Sequence, residues 1–371
     1  MSTLNVNTIN AATSGQGVAV DIQNPRTFRN IIINGAMQVA QRGTSSTSGD
    51  GYNTVDRIKL AATGPDENPT QTQHALTSSD TGPWEKGFRY SYHLQNGNQT
   101  GGADAADLSA MVYKVEAQDI AQSGWDYTST SKDLTMSFWV KSSVAQAFYV
   151  QFIAHDVSGA YSYTFSTGSL TANTWTKVTH SIPGHANLVF NNDNGQGFEI
   201  MFYAFAGTNN TDSGHTLNTW AAYAGGSQAP DMTSTWYTTN DSTLEWTGIQ
   251  LEAGSYATDF EHRSYAEELH RCQRYYQLNQ PSVGYTNSTT VCRMTLTGPV
   301  EMRTSPTIAI ANGTNGVENY VVAGRNVTAL GSTSLSSGTN LGGLVDATVA
   351  TTTANKPHAI FGKVISMSAE L

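Results

Sequence analysis

Apolar and polar residues alternate along much of the chain, and an alternation of period two is typical of β-strands with one buried face. The run 244–252 shows it most clearly, and its apolar residues near one face are Leu244, Trp246, Ile249 and Leu251. Runs of similar character, separated by clusters of Asn, Gly, Ser and Asp, are found at 134–141, 148–154, 174–180 and 198–205. Short strands joined by polar turns predict a sandwich of two antiparallel sheets.

Further strands are predicted on both sides of this central region. Ile31–Ile33 predicts a short buried strand before the turn signal Asn34-Gly35, and Tyr52 begins a second strand. After residue 280 the pattern returns at 290–298, and 359–371 predicts one final strand.

One helix is predicted over residues 264–277. Ser264 and Glu267 have the spacing of a capping box, and Pro281 ends the helical pattern. Its apolar stripe consists of Tyr265, Leu269, Cys272 and Tyr276. The stripe either caps the chain's own sandwich or meets two other copies in a trimer. We favour the first alternative because a 14-residue helix is short for a coiled coil.

The first 24 residues are polar, with sparse apolar positions at Leu4, Val6 and Ile9. The stretch is too short to form a core. It is therefore interpreted as an extended arm that orders against a partner, although the residues alone equally allow a frayed terminus.

Composition narrows the classes of function. Charged residues make up only 13% of the chain, about half of the roughly 25% in ordinary soluble domains, which suits a subunit that buries side surface against copies of itself. The net charge of −10 argues against nucleic acid and anionic membranes as partners. No signal peptide and no 18-residue apolar span is found. Cys272 and Cys292 predict two buried thiols without a zinc motif.

No catalytic, cofactor or metal motif is present. His180 and His185 have the loop spacing of metal ligands, and 191–195 offers oxygen ligands of the calcium type, but turn residues explain both. A glycosidase needs two carboxylates that meet only in the fold. The candidates are Asp104, Asp107, Glu116, Asp119, Asp126, Asp156, Glu199, Glu245 and Glu252.

Aromatic residues in predicted loops are the candidates for glycan binding, because flat rings stack on sugar faces. These candidates are Trp84, Trp125, Tyr127, Tyr161, Trp220 and Trp236, with Tyr163 and Tyr237 in similar contexts. Aromatic residues on predicted strands, such as Phe138, Trp139 and Trp246, are assigned to the core.

Two stretches resemble a family of phage tail-fibre and minor structural proteins. The opening motif is Asn30–Gly43 followed by Tyr52–Arg57, and the closing motif is Trp246–Tyr265 with Glu267-Glu-Leu and Cys272–Tyr276. Ser2–Ile9 resembles the start of tail fibres in podophages of marine bacteria (cyanophage-like), and 299–307 resembles the segment after the helix in relatives. The chain departs from the pattern at Ile58, where relatives often have Trp, and at Asp259, where they have Pro.

The resemblance implies a mainly β protein with a jelly-roll antiparallel sandwich like that of carbohydrate-binding modules. The implied parts are an attachment arm (1–27), the sandwich (28–263), a helix and linker (264–280) and a C-terminal β domain (281–371). It further implies a homotrimeric, non-enzymatic virion fibre that docks through its arm on tail proteins of the adaptor or nozzle type and binds host surface glycan. The alternatives are a head decoration or tail-knob subunit and, less favoured, a polysaccharide depolymerase.

Overall fold

The computed structural model describes residues 29–279, 284–286, 288, 291–310, 318–321, 330–339, 342–349, 357–361 and 365–371. The predicted arm, with Leu4, Val6 and Ile9, lies outside the described residues, and so does Pro281. The strands are β1 (Ser45–Ser46), β2 (Ile58–Thr63), β3 (Thr70–Ala75), β4 (Tyr90–Gln95), β5 (Leu108–Glu116), β6 (Asp133–Ser142), β7 (Ala147–Ala154), β8 (Tyr161–Ser169), β9 (Thr176–Pro183), β10 (Gln196–Ala206), β11 (Ala221–Ala222), β12 (Thr243–Ala253), β13 (Tyr276–Asn279), β14 (Gly284–Thr286), β15 (Val291–Thr297), β16 (Thr307–Ile310), β17 (Glu318–Val321), β18 (Leu330–Thr339), β19 (Gly342–Val349), β20 (Pro357–Phe361) and β21 (Ile365–Ser368). The helices are α1 (Ala117–Ala121), α2 (Thr235–Thr238) and α3 (Tyr265–Gln273), with a 3-10 turn at Trp84–Lys86.

Two six-stranded antiparallel sheets face each other. Sheet A has the order β1-β3-β4-β12-β6-β9, and sheet B has the order β11-β8-β7-β10-β5-β2. Their strands lie between Ser45 and Ala253, and the chain crosses repeatedly from one sheet to the other. The predicted mainly β, antiparallel jelly-roll sandwich is confirmed.

The core between the sheets is built from alternate residues of each strand. Phe138 of β6 meets Phe202 of β10 with ring centroids 5.3 Å apart, and Phe152 of β7 meets Phe198 of β10 at 5.5 Å. All four rings are at most 1% exposed. Burial of each such side chain contributes about 1.5–3 kcal/mol, so this layer supplies the main stability of the sandwich.

In strand β12 the apolar positions change phase between Trp246 and Ile249 because the strand contains a β-bulge. The register against β6 shifts between Thr247 and Gln250, as at a β-bulge. Gly248 occupies the bulge with φ +62°, and a Cβ there would lie 2.6 Å from the Phe88 ring. The extra residue keeps Leu244, Trp246, Ile249 and Leu251 on the core face, as predicted, and all four are buried.

The predicted strand at Ile31–Ile33 is wrong. The segment forms a turn in which Asn34 has φ 61°, and it covers the edge of β12 beyond the bulge. Asn30 bridges this edge, since its Nδ2 donates to the Ile249 carbonyl (3.1 Å) and its Oδ1 accepts from the Leu251 amide (3.0 Å). Backbone bonds from the Ile31 amide to the Leu251 carbonyl and from the Ile249 amide to the Gly35 carbonyl, both 2.9 Å, flank this bridge. The Asn30 side chain thus interrupts the regular strand pairing that the apolar pattern predicted.

Helix α3 begins as predicted but ends four residues early. The Ser264 hydroxyl accepts a hydrogen bond from the Glu267 amide at 3.2 Å, which caps the N-terminus. Tyr276 begins strand β13, because residues 276–279 pair with β21 almost ninety positions later. Such pairing is invisible to local helical periodicity.

Only part of the predicted apolar stripe packs inward. Cys272 is fully buried with Ile33, Val39 and Tyr275, and Leu269 packs against the same cluster. Tyr265 is 56% exposed, so its assignment to the packed face is a correction. The buried position on the first turn belongs instead to Glu268, whose carboxylate pairs with Arg263 at 3.0 Å.

The described C-terminal residues form two further sheets, β13-β21-β16 and β17-β20-β14-β15-β19-β18. The first of these joins β13, from the predicted linker 264–280, to β16 and β21 from the predicted domain 281–371. This sheet therefore spans the predicted boundary. The predicted final strand is also corrected, since 359–371 contains the end of β20 and the separate strand β21.

Residues 369–371 return to the sandwich at a group of buried charges that we call the arginine cluster (Arg42, Asp56, Arg57 and Glu370). The Glu370 carboxylate pairs with Arg57 at 2.5 Å and with Arg42 at 3.0 Å. The Arg57 guanidinium is buried over the Tyr275 ring, 3.4 Å from its centroid. The cluster thereby ties residues 369–371 to the segment that directly precedes β2 of the sandwich.

Candidate functional site

A groove lies on the outer face of sheet A. Residues 77–89 and 254–262 lie over this face as two walls, and the space between them encloses about 290 Å³. Its lining residues are Glu85, Lys86, Phe88, Ser137, Trp139, Lys177, Gly248, Asp259, Phe260 and His262.

Strand alternation places Trp139 on the floor of the groove. Met136, Phe138 and Val140 of β6 point into the core, so Ser137 and Trp139 point outward. The indole is half-buried and borders a patch of aromatic residues on the same face. Gly82, with φ +97°, lies against its ring, where a Cβ would approach to 2.7 Å. A larger residue at position 82 would push the first wall away from the floor.

The first wall is anchored by Asp80. Its carboxylate accepts hydrogen bonds from the Thr77 amide (2.9 Å), the Trp175 indole N–H (3.0 Å) and the Lys141 ammonium (3.1 Å). These three donors come from the wall itself, from the loop before β9 and from β6. Asp80 therefore fixes the wall relative to two strands of sheet A.

Asp80 belongs to a group that we call the lysine cluster (His74, Asp80, Lys141 and Glu245). Lys141 donates to Glu245 at 2.9 Å, and Glu245 also accepts from Ser91 (2.7 Å) and contacts His74 Nδ1 at 3.0 Å. Burial raises the pKa of Glu245, but the bonds from His74 and Lys141 outweigh it and lower that pKa to about 2. The pKa of Asp80 is likewise held below its usual range by Trp175, Thr77 and Lys141 against desolvation.

The second wall is held by buried polar side chains of β12. Glu252 accepts hydrogen bonds from the amide of Thr258 (2.9 Å) and from its hydroxyl (2.7 Å). Gln250 accepts from the Glu261 amide at 2.8 Å. The two walls are joined where His262 Nε2 donates to the Lys86 carbonyl at 2.8 Å. The groove is therefore preorganised by contacts from several strands.

Three of the predicted glycan-binding aromatic residues are buried, which corrects their assignment. Trp125, Trp220 and Trp236 are 4%, 7% and 0% exposed. Their indole N–H groups donate to the carbonyls of Lys132, Pro183 and Thr243. With the ring faces packed in the core and the N–H groups satisfied, no surface remains for a sugar. Tyr163 and Tyr237 are buried as well.

The other three candidates are half-buried, Tyr127 and Tyr161 both next to His185 and Trp84 apart from them. Trp84 lies on the outer face of sheet A beneath Arg89, whose guanidinium is 3.8 Å from the ring centroid. Tyr127 packs edge-on against Phe190, and Tyr161 lies 5.5 Å from the His185 ring. The structure does not bring these three residues to one site.

Trp139 was assigned to the core from the sequence, and the groove floor was thereby missed. The run at 134–141 contains the signal that could have found it. Because Phe138 and Trp139 are neighbours on one strand, period-two geometry sends them to opposite faces. Trp175 falls within the run 174–180 that predicts a strand, but β9 begins only at Thr176 and leaves Trp175 in the preceding loop.

The candidate carboxylates outside the groove make local structural contacts, and Glu116 and Asp119 lie close together. Glu116 binds Arg274 through two bonds of 2.8 Å, Glu199 contacts His155 at 3.1 Å, and Asp156 accepts from the Asn191 amide at 2.9 Å. Desolvation raises the pKa of Asp119 to about 6, beside Glu116. Asp126 and Asp104 lie in turns near Thr128 and Asp107.

The proposed metal ligands have other partners. His180 stacks on Phe165 with ring centroids 4.1 Å apart, and in the loop 191–195 the Asp193 carboxylate accepts from the Gly195 amide. Across the described ranges, no three His, Cys, Asp or Glu side chains are grouped to hold a metal ion. No helix in those ranges is long and apolar enough to cross a membrane.

Comparisons with known proteins show little similarity to this chain. No family model matches the chain, and no curated protein does. One solved structure that it resembles is the enzymatically active domain of tailspike protein 4 from bacteriophage CBA120, with a TM-score of 0.29 and 10% identity. The match covers 60% of this chain and 21% of that chain, so the matched part spans about a fifth of that chain's length. A likeness at this level supports no argument about function.

Proposed function

We propose that this chain is a bacteriophage tail-associated structural protein that attaches to host surface glycan, with the saccharide bound in the groove on the outer face of sheet A. The observation that carries the binding site is the outward-facing Trp139 on the floor of a preorganised groove. The tail-fibre-like motifs at 30–57 and 246–276 supply the phage context.

The chemistry of the groove suits a pyranose ring. An indole stacks on the apolar face of a sugar, while side chains at its edge exchange hydrogen bonds with the hydroxyls. Around Trp139 these groups are the Ser137 hydroxyl, the ammonium groups of Lys86 and Lys177, and the carboxylates of Glu85 and Asp259. Both donors and acceptors are therefore within reach of one bound ring.

The site is proposed to bind without cleaving. Glycoside hydrolysis needs a carboxyl group that is protonated near neutral pH. The pKa values of Asp80 and Glu245, which lie next to the groove, are lowered and keep both groups ionised. They stabilise the wall through Lys141 and cannot donate the proton. Release of reducing ends from a bound polysaccharide would contradict this part of the proposal.

We further propose that the protein is a homotrimer and that residues 1–27 form the arm that docks on the tail. Three weak sites on one rigid particle would gain avidity through effective concentration. Light scattering on the full-length protein should give a mass near three times 39.8 kDa, and deletion of residues 1–27 should leave the protein trimeric. Monomers in both forms would favour the decoration or tail-knob alternative.

Glycan binding is tested by electrophoresis in gels that contain purified bacterial surface polysaccharides. The wild type should be retarded by at least one polysaccharide, and Trp139→Ala should lose that retardation. Tyr265→Ala is the matched control, because it removes an exposed aromatic ring from helix α3 rather than from the groove. Equal retardation of wild type and Trp139→Ala would exclude the groove as the binding site.

A further inference from the structure

We infer that the saccharide bound in the groove carries a negative charge, as a carboxylate or sulfate substituent; this inference rests on the proposed function. The first observation is the concentration of charge. Only 13% of the chain is charged, yet four of the ten lining residues are: Glu85, Lys86, Lys177 and Asp259. The charged fraction of the groove lining is therefore about three times that of the whole chain.

The two lysines of the groove lack the ion pairs that two other described lysines make. Lys141 pairs with two carboxylates, and Lys59 pairs with Asp50 at 3.3 Å. Lys86 and Lys177 are exposed, and in the part of the chain that the structure describes neither has a carboxylate within ion-pair distance. Their ammonium groups are therefore available to a ligand.

Lys177 is placed next to the stacking surface by strand pairing. It is the direct partner of Trp139 in the β6–β9 ladder, so both side chains leave the same face of sheet A side by side. Lys86 reaches the groove from the first wall, where its carbonyl is held by His262. A sugar stacked on Trp139 would therefore have one ammonium beside it on the floor and another on the wall.

Two arginines add to the positive charge at the rim. Arg29 donates to the Asp259 carbonyl at 3.1 Å, and Arg89 donates to the Phe88 carbonyl at 2.7 Å. The lining itself holds two ammonium groups, Lys86 and Lys177, and two carboxylates, Glu85 and Asp259. In a chain with a net charge of −10, two ammonium groups beside the stacking ring favour an anionic ligand. Charge-assisted hydrogen bonds to its substituent would add specificity to the stacking.

The experiment uses matched polysaccharide pairs that differ only in charge. Polygalacturonate is compared with its carboxyl-reduced form, and dextran sulfate with dextran, as probes of the two substituents. Retardation in gels and its dependence on NaCl are measured for wild type, Trp139→Ala, Lys177→Gln, Lys86→Gln and the double variant. Lys132→Gln is the control, because it removes an exposed lysine seven residues from Trp139, or about 23 Å along the β6 direction.

The inference predicts retention of an anionic polymer that needs Trp139, weakens with salt and exceeds that of the neutral partner. Each single lysine variant should bind the anionic polymer about threefold more weakly, and the double variant about tenfold. Lys132→Gln should bind like wild type.

Three results would overturn the inference, and they separate it from the proposed function. Equal, Trp139-dependent retention of both members of a pair would refute the charge requirement and leave glycan binding in place. Retention of the anionic polymer that survives Trp139→Ala would place polyanion binding outside the groove. Failure of every polymer to show Trp139-dependent retention would refute the proposed groove function together with the inference.

Discussion

The arginine cluster and the lysine cluster are built from the same kinds of groups, yet they act on different parts of the molecule. In the first, Glu370 joins Arg57 and Arg42 beneath tyrosine rings, with the Arg57 side chain 1% exposed. In the second, Lys141 joins Asp80 and Glu245 at the sheet surface, with its side chain 19% exposed. The first ties the chain's last residues to the sandwich, and the second positions a wall of the groove.

The difference shows how burial decides what an ion pair does. A buried guanidinium without a carboxylate partner is energetically costly. The sandwich is therefore stable only when residues 369–371 bring Glu370 next to Arg57. Arginine suits that role because its flat group also stacks on Tyr275. In the lysine cluster Lys141 is closer to water, and the hydrogen bonds to Glu245 both hold the wall in position and stabilise the ionised carboxylate.

The pKa values of the two clusters move in opposite directions. Desolvation raises the pKa of Asp56 in the arginine cluster to about 6, although bonds from Gln41 and the charge of Arg42 oppose it. In the lysine cluster hydrogen bonds prevail and lower the pKa of Glu245 to about 2. Glu245 and Asp80 on the outer face of sheet A therefore stay ionised over the whole physiological range.

The largest expected effect comes from Glu370→Gln. The substitution leaves the buried Arg57 without a charged partner, so the free energy of unfolding should fall by about 3–5 kcal/mol. Urea unfolding followed by tryptophan fluorescence at a fixed protomer concentration measures it. Glu301→Gln, the same change at an exposed carboxylate, should stay within about 0.5 kcal/mol. Equal effects of the two would show that the arginine cluster does not anchor the chain end.

The second prediction concerns the pH dependence contributed by Glu245. Its pKa is about 2 in the folded protein and 4.5 in the unfolded reference, so its stabilisation is present above about pH 4.5 and is lost as pH falls through 2. A shift of this size corresponds to about 3 kcal/mol. The difference in unfolding free energy between wild type and Glu245→Gln should therefore shrink steadily over that window. A difference that is independent of pH would contradict the assignment.

Asp80→Asn should have an intermediate effect that separates wall position from global stability. It weakens the bonds from Lys141, Trp175 and Thr77, so about 1–2 kcal/mol of unfolding free energy should be lost. Glycan retention should drop as well, because the wall over Trp139 loosens. Chemical denaturation and gel retardation on the same preparation measure both. Unchanged retention would show that the lysine cluster does not shape the groove.

The smallest effect is expected for Tyr265→Ser on helix α3. This residue is 56% exposed and outside both clusters, so unfolding free energy should change by less than about 0.5 kcal/mol. Cys272→Ser, on the buried side of the same helix, should cost more, because it introduces a hydroxyl among Ile33, Val39 and Tyr275. Dissociation of an oligomer by Tyr265→Ser would support the trimer-face alternative instead.

The alternation of apolar and polar residues predicted the sandwich because, within each strand, the apolar residues are those on the buried face. The apolar residues of β12 skip one position between Trp246 and Ile249, and this skip coincides with the bulge at Gly248. The capping-box spacing of Ser264 and Glu267 likewise predicted the start of helix α3. These features depend on neighbours within a few residues.

The groove was not predicted because its parts come from four distant segments of the chain. Asp80, Lys141, Trp175 and Glu245 meet only when β6, β9 and β12 are adjacent in sheet A. The loop aromatic residues that composition favoured were needed for the core, as the buried indole of Trp236 shows. Exposure of Trp139 could be inferred from alternation, but the walls around it could not.

The most direct test of the account measures thermal stabilisation by the polysaccharide that retards the wild type most strongly. A ligand that binds only the folded state raises the unfolding temperature, so the wild type should melt higher at saturating polysaccharide. Trp139→Ala should melt below the wild type without polysaccharide, because its half-buried ring packs against Phe88 and Leu76, and should show no rise with it. An equal rise in both proteins would contradict the central claim that the groove on sheet A is the binding site.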